Sequence, residues 1–227
     1  MSTLNGGPGN IITNGLVLYL DAANYLSYTS GSTTWRDLSS SNNSGTLTNG
    51  PTFNTGSAGS IVFDGTNDYV ETNYSGGTFT TLTLSAWIYK TNTTRAYILN
   101  RASPYGFGFE FYETTMYFNV QGSGAQGYGE FDFNNTGWNY WVMVYNGADA
   151  GNSNRLKAYR NGVQEVLTYV NTVPASFIST GNFVLGQRPW FISYSQCNIA
   201  TTQIYNRALT ASEVQQNYNA TKGRFGL

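Results

Sequence analysis

Residues 82–89 read LTLSAWIY, and their alternation decides the fold class. Leu82, Leu84, Ala86 and Ile88 fall on one side of an extended chain and Thr83, Ser85, Trp87 and Tyr89 on the other, because successive strand side chains point to opposite faces. Outward from this strand the pattern repeats. Residues 16–20, 97–100, 106–112, 116–120, 138–145, 156–160, 162–169, 182–185 and 199–206 are further strand candidates. Asn161-Gly162 supplies the two positive φ angles of a type I′ turn and predicts a hairpin. Residues 60–63 and 68–71 flank the turn formers Asp64-Gly65-Thr66-Asn67, which predicts another. One helix is expected, opening at Thr210-Ala211-Ser212-Glu213, where Thr210 and Glu213 satisfy each other's free backbone donors and Val214 and Tyr218 face a sheet. Many short strands with one short C-terminal helix mean an all-β, two-sheet antiparallel jelly-roll sandwich.

Composition agrees. The 227 residues suit one domain, with an arm at residues 1–14, the domain at 15–220 and a tail at 221–227. Aromatic residues are 16% of the chain, so large rings fill the core, and only 10% are charged. Eleven basic and twelve acidic residues leave no basic footprint for nucleic acid. With no histidine and one cysteine, Cys197, the chain has no internal disulfide, no His/Cys zinc cluster and no Ser-His-Asp or Cys-His mechanism. Cys197 is expected to be a small buried apolar residue. The glycines of 122–129 lack the lysine and the helix of a phosphate loop. Residues 1–14 lack the basic start and apolar run of a secretory signal, and no apolar run is long enough to span a membrane, so synthesis in the cytosol without membrane insertion is expected.

Four passages are specific in combination: GLVLYLDAA at 15–23 with WRDLS at 35–39; GTLTNGP at 45–51; FDGTNDYV at 63–70; and IYNRALT at 204–210. They resemble the laminin G-like branch of the concanavalin A-like lectin/glucanase superfamily. The resemblance implies two packed antiparallel sheets, with ligand sites on the concave face or among the loops at its rim. The segment NYNATKGRFGL at 217–227 is similar to the ends of accessory virion proteins from tailed phages of marine cyanobacteria. That resemblance implies a non-enzymatic virion surface protein, a head decoration or a tail or fibre component, assembled in the host cytoplasm. Its expected partners are other virion proteins and host-envelope glycans, and a homo-oligomer is compatible with this role. The rival readings are a purely structural virion protein that binds no sugar, a glycoside hydrolase, and a secreted adhesin.

Hydrolysis of a glycosidic bond needs paired carboxylates. Glu130 and Asp132 share a strand face, but Asn134 and Asn135 stand where the hydrolase pattern has a third acid, so no catalytic residue is assigned. Glu110 and Glu113 are expected to be solvated. Sugar binding needs an aromatic platform beside neutral hydrogen-bonding groups. Trp190 and Tyr194 with Arg188, and Tyr105 with Arg101, lie in segments of that makeup; the alternatives are that apolar residues there fold back on the core or meet a neighbouring subunit. Trp87, Trp138 and Trp141 read as core, and Trp35 fits either class. Some members of the family bind calcium near the Phe-Asp-Gly turn, and the oxygens of Asp64, Asn67 and Asp68 suit Ca2+. The alternative is that Asp64 and Asn67 bond only to their own backbone. Ala200 and Thr201 stand where relatives often carry an acid.

Overall fold

The structure, a computed structural model, describes residues 10–56, 59–90, 96–100, 107–112, 114–122, 125–179, 181–188 and 193–227. In the first third of the chain the strands are β1 (Leu16–Asp21), β2 (Thr34–Trp35), β3 (Gly45–Thr48), β4 (Thr52–Asn54), β5 (Ser60–Asp64), β6 (Tyr69–Thr72) and β7 (Gly77–Phe79). The middle holds β8 (Thr81–Lys90), β9 (Ala96–Asn100), β10 (Gly108–Tyr112), β11 (Thr115–Gly122), β12 (Ala125–Asp132) and β13 (Gly137–Asn146). A single turn, α1 (Asn152–Arg155), precedes β14 (Leu156–Arg160), β15 (Val163–Glu165), β16 (Thr168–Val170), β17 (Phe177–Ser179), β18 (Phe183–Leu185), β19 (Gln187–Arg188), β20 (Ser193–Tyr194) and β21 (Gln196–Tyr205). The helix α2 (Ala211–Thr221) and a 3-10 turn, Lys222–Phe225, end the chain.

Two antiparallel sheets pack face to face. One has eight strands, in the order β15-β14-β13-β8-β21-β5-β4 with β1 also paired to β21; the other has nine, β16-β12-β11-β10-β9-β18-β6-β3-β2. The core lies between them, where Leu82, Leu84, Ala86, Ile88, Trp141 and Met143 of the first sheet meet Ile98, Phe109, Phe111, Met116 and Phe118 of the second. Trp35 and Cys197 are buried in this core, and burial pushes the Cys197 thiol up to about 12, so the residue is inert.

Asn161 and Gly162 have φ of 52° and 80°, and Arg160 pairs with Val163, so the predicted type I′ hairpin forms. The expected strand over 162–169 is instead two strands, with β15 in the eight-stranded sheet and β16 in the nine-stranded one. The turn at 64–67 also differs from expectation. β5 pairs with β4 and β21 while β6 pairs with β3 and β18, so Asp64-Gly65-Thr66-Asn67 carries the chain from one sheet to the other.

Both faces of β8 are covered. Opposite the core, Trp87, Tyr140, Val142 and Tyr205 are buried beneath α2 through Val214 and Tyr218. Burying an indole of this size contributes about 2–3 kcal/mol. Polar groups in this second layer are paired: Ser85 Oγ and Tyr140 OH donate to Gln203 Oε1, each at 3.0 Å, and Trp87 Nε1 donates to Thr221 Oγ1 at 2.8 Å. Asn217 accepts from Ile12 N at 2.8 Å and donates to Tyr205 OH at 3.0 Å. The packed unit reaches past residues 15 and 220, since Ile11 is buried and Phe225 stacks on Trp87 at 4.0 Å between ring centroids.

The IYNRALT passage has a mechanical reading here. Arg207 grips the Glu213 carboxylate with both guanidinium branches, at 2.9 and 2.7 Å, and its Nε donates to Asn14 O. Glu213 also accepts from Thr210 N at 2.8 Å and completes the capping box. This pairing, led by the Arg207 hydrogen bonds, draws the Glu213 carboxyl from the ordinary 4.5 down to about 2. A depressed folded value means stability that is full above pH 4.5 and is lost as pH falls towards 2. Glu213→Gln is expected to cost about 1–2 kcal/mol at neutral pH. Urea titrations of both proteins should show that difference closing across the same window; a difference constant down to pH 2.5 would remove the clamp from the account.

Candidate functional site

The nine-stranded sheet has one face in the core and one turned away from it. Phe109 and Phe111, Met116, Phe118 and Val120 point inward, so strand alternation turns Glu110, Tyr117, Asn119, Tyr128 and Glu130 outward. Register places Tyr97, Glu110, Tyr117, Glu130 and Thr168 in one row across β9, β10, β11, β12 and β16. Asn119 and Tyr128 are neighbours in the adjacent row, and Thr115 and Asp132 are paired on the other side. Strands lie about 4.8 Å apart, so the backbones of Glu110 and Glu130 are about 10 Å apart with Tyr117 between them.

A ribbon formed by β19 and β20 lies over this face. Gly186, at φ 89°, turns the chain out of β18, and a Cβ there would come within 2.4 Å of the Phe63 ring. Gly186 N donates to Tyr97 O at 2.8 Å, Tyr97 N donates to Ser195 Oγ at 2.8 Å, and Tyr97 OH is 2.9 Å from Ser193 Oγ. Tyr97 is fully buried as a result. Arg188 reaches down from the ribbon to Glu110, Nε to Oε2 at 3.1 Å, and Asn119 Nδ2 donates to the other Glu110 oxygen at 3.4 Å. Glu110 is 6% exposed, which corrects the expectation of a solvated side chain. Its cost of burial is offset by a charged partner from 78 positions along the chain, which local sequence cannot reveal. Glu113 lies outside the described residues.

Beside this pair is the open part of the face. Tyr117 and Tyr128, both half-buried, meet edge to face at 5.8 Å and 61°. The Tyr128 phenol is raised above its ordinary value by burial, then by Glu130 and Tyr117. Asp132 is exposed and accepts from Thr115 Oγ1 at 3.1 Å.

Of the residues singled out in the sequence, Arg188 and Tyr194 are on the ribbon. Arg188 shares a side with Ser193 and faces the sheet, while Tyr194 pairs with Gln187 on the other side. Trp190, Tyr105 and Arg101 lie outside the described residues. Sequence reading passed over Glu110, Tyr117, Asn119 and Tyr128 as site residues. The alternation Phe107, Phe109, Phe111 against Gly108, Glu110, Tyr112 was the available signal, since it marks Glu110 as facing away from the core.

At the crossover between the sheets, Asp64 Oδ1 accepts from Thr66 N at 2.8 Å and Asp68 Oδ2 accepts from Asp64 N at 3.2 Å. The Asn67 carbonyl accepts from Asn49 Nδ2 at 2.9 Å. Burial first, and then the Asp64 charge, raise the Asp68 carboxyl. Calcium takes six to eight oxygen ligands. Two carboxylates already bonded to their own turn do not make that set, and among the described residues no three acids gather as one. Asp64, Asn67 and Asp68 thus fit a turn better than a calcium cage.

Residues 64–215 match the family described as the Concanavalin A-like lectin/glucanases superfamily. The chain belongs to this superfamily. The jelly roll seen here is that of solved structures at low identity. The binding domain of Paraclostridial Mosquitocidal Protein 1 is 14% identical with a TM-score of 0.65, over 91% of this chain and 52% of that one. The binding domain of Botulinum Neurotoxin DC in complex with SialylT is 12% identical with a TM-score of 0.65, over 92% and 52%. Trypanosoma rangeli sialidase in complex with sialic acid is 15% identical with a TM-score of 0.62, over 93% and 34%. The superfamily member described here therefore spans about half the length of the toxin domains and a third of the sialidase. No curated protein matches its sequence.

Proposed function

We propose that this domain is a non-catalytic carbohydrate-binding module, with the sugar lying on the outer face of the nine-stranded sheet against Tyr117 and Tyr128 and beneath the rim formed by the ribbon. The observation that carries this reading is the half-buried tyrosine pair next to the Arg188–Glu110–Asn119 cluster. Rings accept the C–H face of a pyranose, and the polar groups, held by the fold, fix its orientation. Glu130 and Asp132 contribute hydrogen-bond acceptors to the same face and not an acid–base pair. The similar toxin domain bound to SialylT supports trying sialylated glycans early. The phage-like segment at 217–227 supports placing the domain on a virion surface, beside other virion proteins and facing host-envelope glycans.

The test is a glycan-array and host-envelope screen of the purified chain, with calcium and with chelator, followed by titration of the best ligand. Tyr128→Ala and Tyr117→Ala should each weaken binding by about tenfold, the effect of a lost ring stack, with unfolding midpoints nearly unchanged. Chelator should leave affinity intact. Binding that ignores both substitutions would move the site off this face, and silence against every glycan would favour a purely structural virion role.

A further inference from the structure

The helix α2 and the 3-10 turn cover the middle of the outer face of the eight-stranded sheet and leave a row at one end of β8 open. Register sets Trp138, Tyr89, Asn198, Val62 and Thr52 side by side across β13, β8, β21, β5 and β4. Alternation turns this row away from the core, because Ile88, Cys197, Ile199, Ile61 and Phe63 next to it point inward. None of the five is buried, and Tyr89 is 37% exposed. With strands about 4.8 Å apart, the row from Trp138 to Val62 runs about 14 Å.

Its aromatic end is a rigid corner. Trp138 and Tyr89 meet edge to face at 5.5 Å and 64°, and Phe225 backs Trp138 at 4.8 Å. Phe225 is itself stacked on the buried Trp87, so the Trp138 ring is fixed before any ligand arrives. Trp138 Nε1 and the Asn198 side-chain amide make no hydrogen bond among the described residues, which leaves donors and an acceptor beside the rings.

Charge and area select the occupant. No residue of the row is charged, and the cations of the adjoining 3-10 turn are engaged elsewhere: Lys222 Nζ lies over the Tyr218 ring at 5.2 Å and Arg224 pairs with Asp21. A stable protein partner covers about 20–30 residues a side around an apolar centre. Tyr89 is the one large hydrophobic side chain of this row that is exposed, too little for such a centre. A pyranose needs less: rings against its C–H groups and neutral polar groups for its hydroxyls.

We infer that this row is a second carbohydrate-binding surface, which takes an uncharged oligosaccharide with one sugar ring in the Trp138–Tyr89 corner and hydroxyls bonded to Asn198. It lies on the opposite side of the sandwich from Tyr117 and Tyr128, so it stands or falls separately from the site proposed there.

The experiment is a nuclear magnetic resonance titration of the full chain with maltotriose, cellotriose and N,N′,N″-triacetylchitotriose, with glycerol as the control polyol. At least one trisaccharide should shift the Trp138 indole N–H and the Asn198 side-chain amide saturably, and equally in Tyr128→Ala, where the other face is disabled. Tyr89→Ala should weaken that binding by about tenfold with an unchanged unfolding midpoint, the effect of a lost ring contact, whereas Tyr89→Phe should keep most of it. Asn198→Ala should weaken it several-fold. Shifts confined to the neighbours of Tyr117 and Tyr128, or none with any of the three sugars, would overturn the second surface. So would an affinity unchanged in Tyr89→Ala. Broadening of the Trp138 and Asn198 signals that grows with protein concentration in the absence of sugar would assign the row to a second copy of the chain and overturn it too.

Discussion

Removing residues 222–227 is expected to lower stability by about 3–4 kcal/mol, the loss of a packed aromatic ring and a partly buried ion pair. Phe225 stacks on Trp87 at 4.0 Å and on Trp138 at 4.8 Å. Arg224 pairs with Asp21 at 2.7 Å and also donates to the Gly59 carbonyl, tying the end of the chain to β1 and to the approach of β5. The truncated chain should unfold about 6–16 °C lower, at about 2–4 °C per kcal/mol for a domain of this size. Its tryptophan emission should shift to the red as Trp87, fully buried in the intact chain, meets water. Phe225→Ala should account for most of the loss and Arg224→Ala for about 1 kcal/mol. An unchanged midpoint and spectrum would mean that these last residues do not close the second layer.

Arg188→Ala should give the largest effect on binding. It strips a charged partner from Glu110, whose carboxylate is covered by the ribbon and the sheet. Leaving a buried carboxylate undercompensated costs about 2–3 kcal/mol after allowance for the exposed part of the arginine. With the ribbon loosened, the amides of Gly186 and Ser195 should exchange faster with solvent, and glycan affinity should fall by more than tenfold. Arg188→Lys, which keeps the charge without the planar fork, should recover part of both. Affinity that survives in Arg188→Ala while Gly186 exchange accelerates would show that the ribbon stabilises the fold and leaves the sugar site untouched.

How far the sequence could be read depends on the distance over which each feature is decided. The strand at 82–89, the Asn161-Gly162 hairpin and the Thr210–Glu213 cap were legible because alternation, turn chemistry and capping involve residues within a few positions of one another. Asp64-Gly65-Thr66-Asn67 was legible as a turn and not as a crossing between sheets, since the same local bonds serve both and only the partners of β5 and β6 differ.

For Trp87 and Glu110, local pattern assigned a face and could not say what covers it. Trp87 is buried because a helix folds back from more than 120 positions away, and Thr221 receives its N–H. Glu110 is buried because Arg188 and Ser193 arrive on a ribbon whose exit depends on the left-handed backbone of Gly186. The sequence by itself determined the fold class, the superfamily and the two sides of each strand, because these are written in contiguous residues. Which outer face is sealed beneath a helix and which is left open to a ligand was decided only by tertiary structure, because burial is a property of the groups that arrive on a face and not of the strand that presents it.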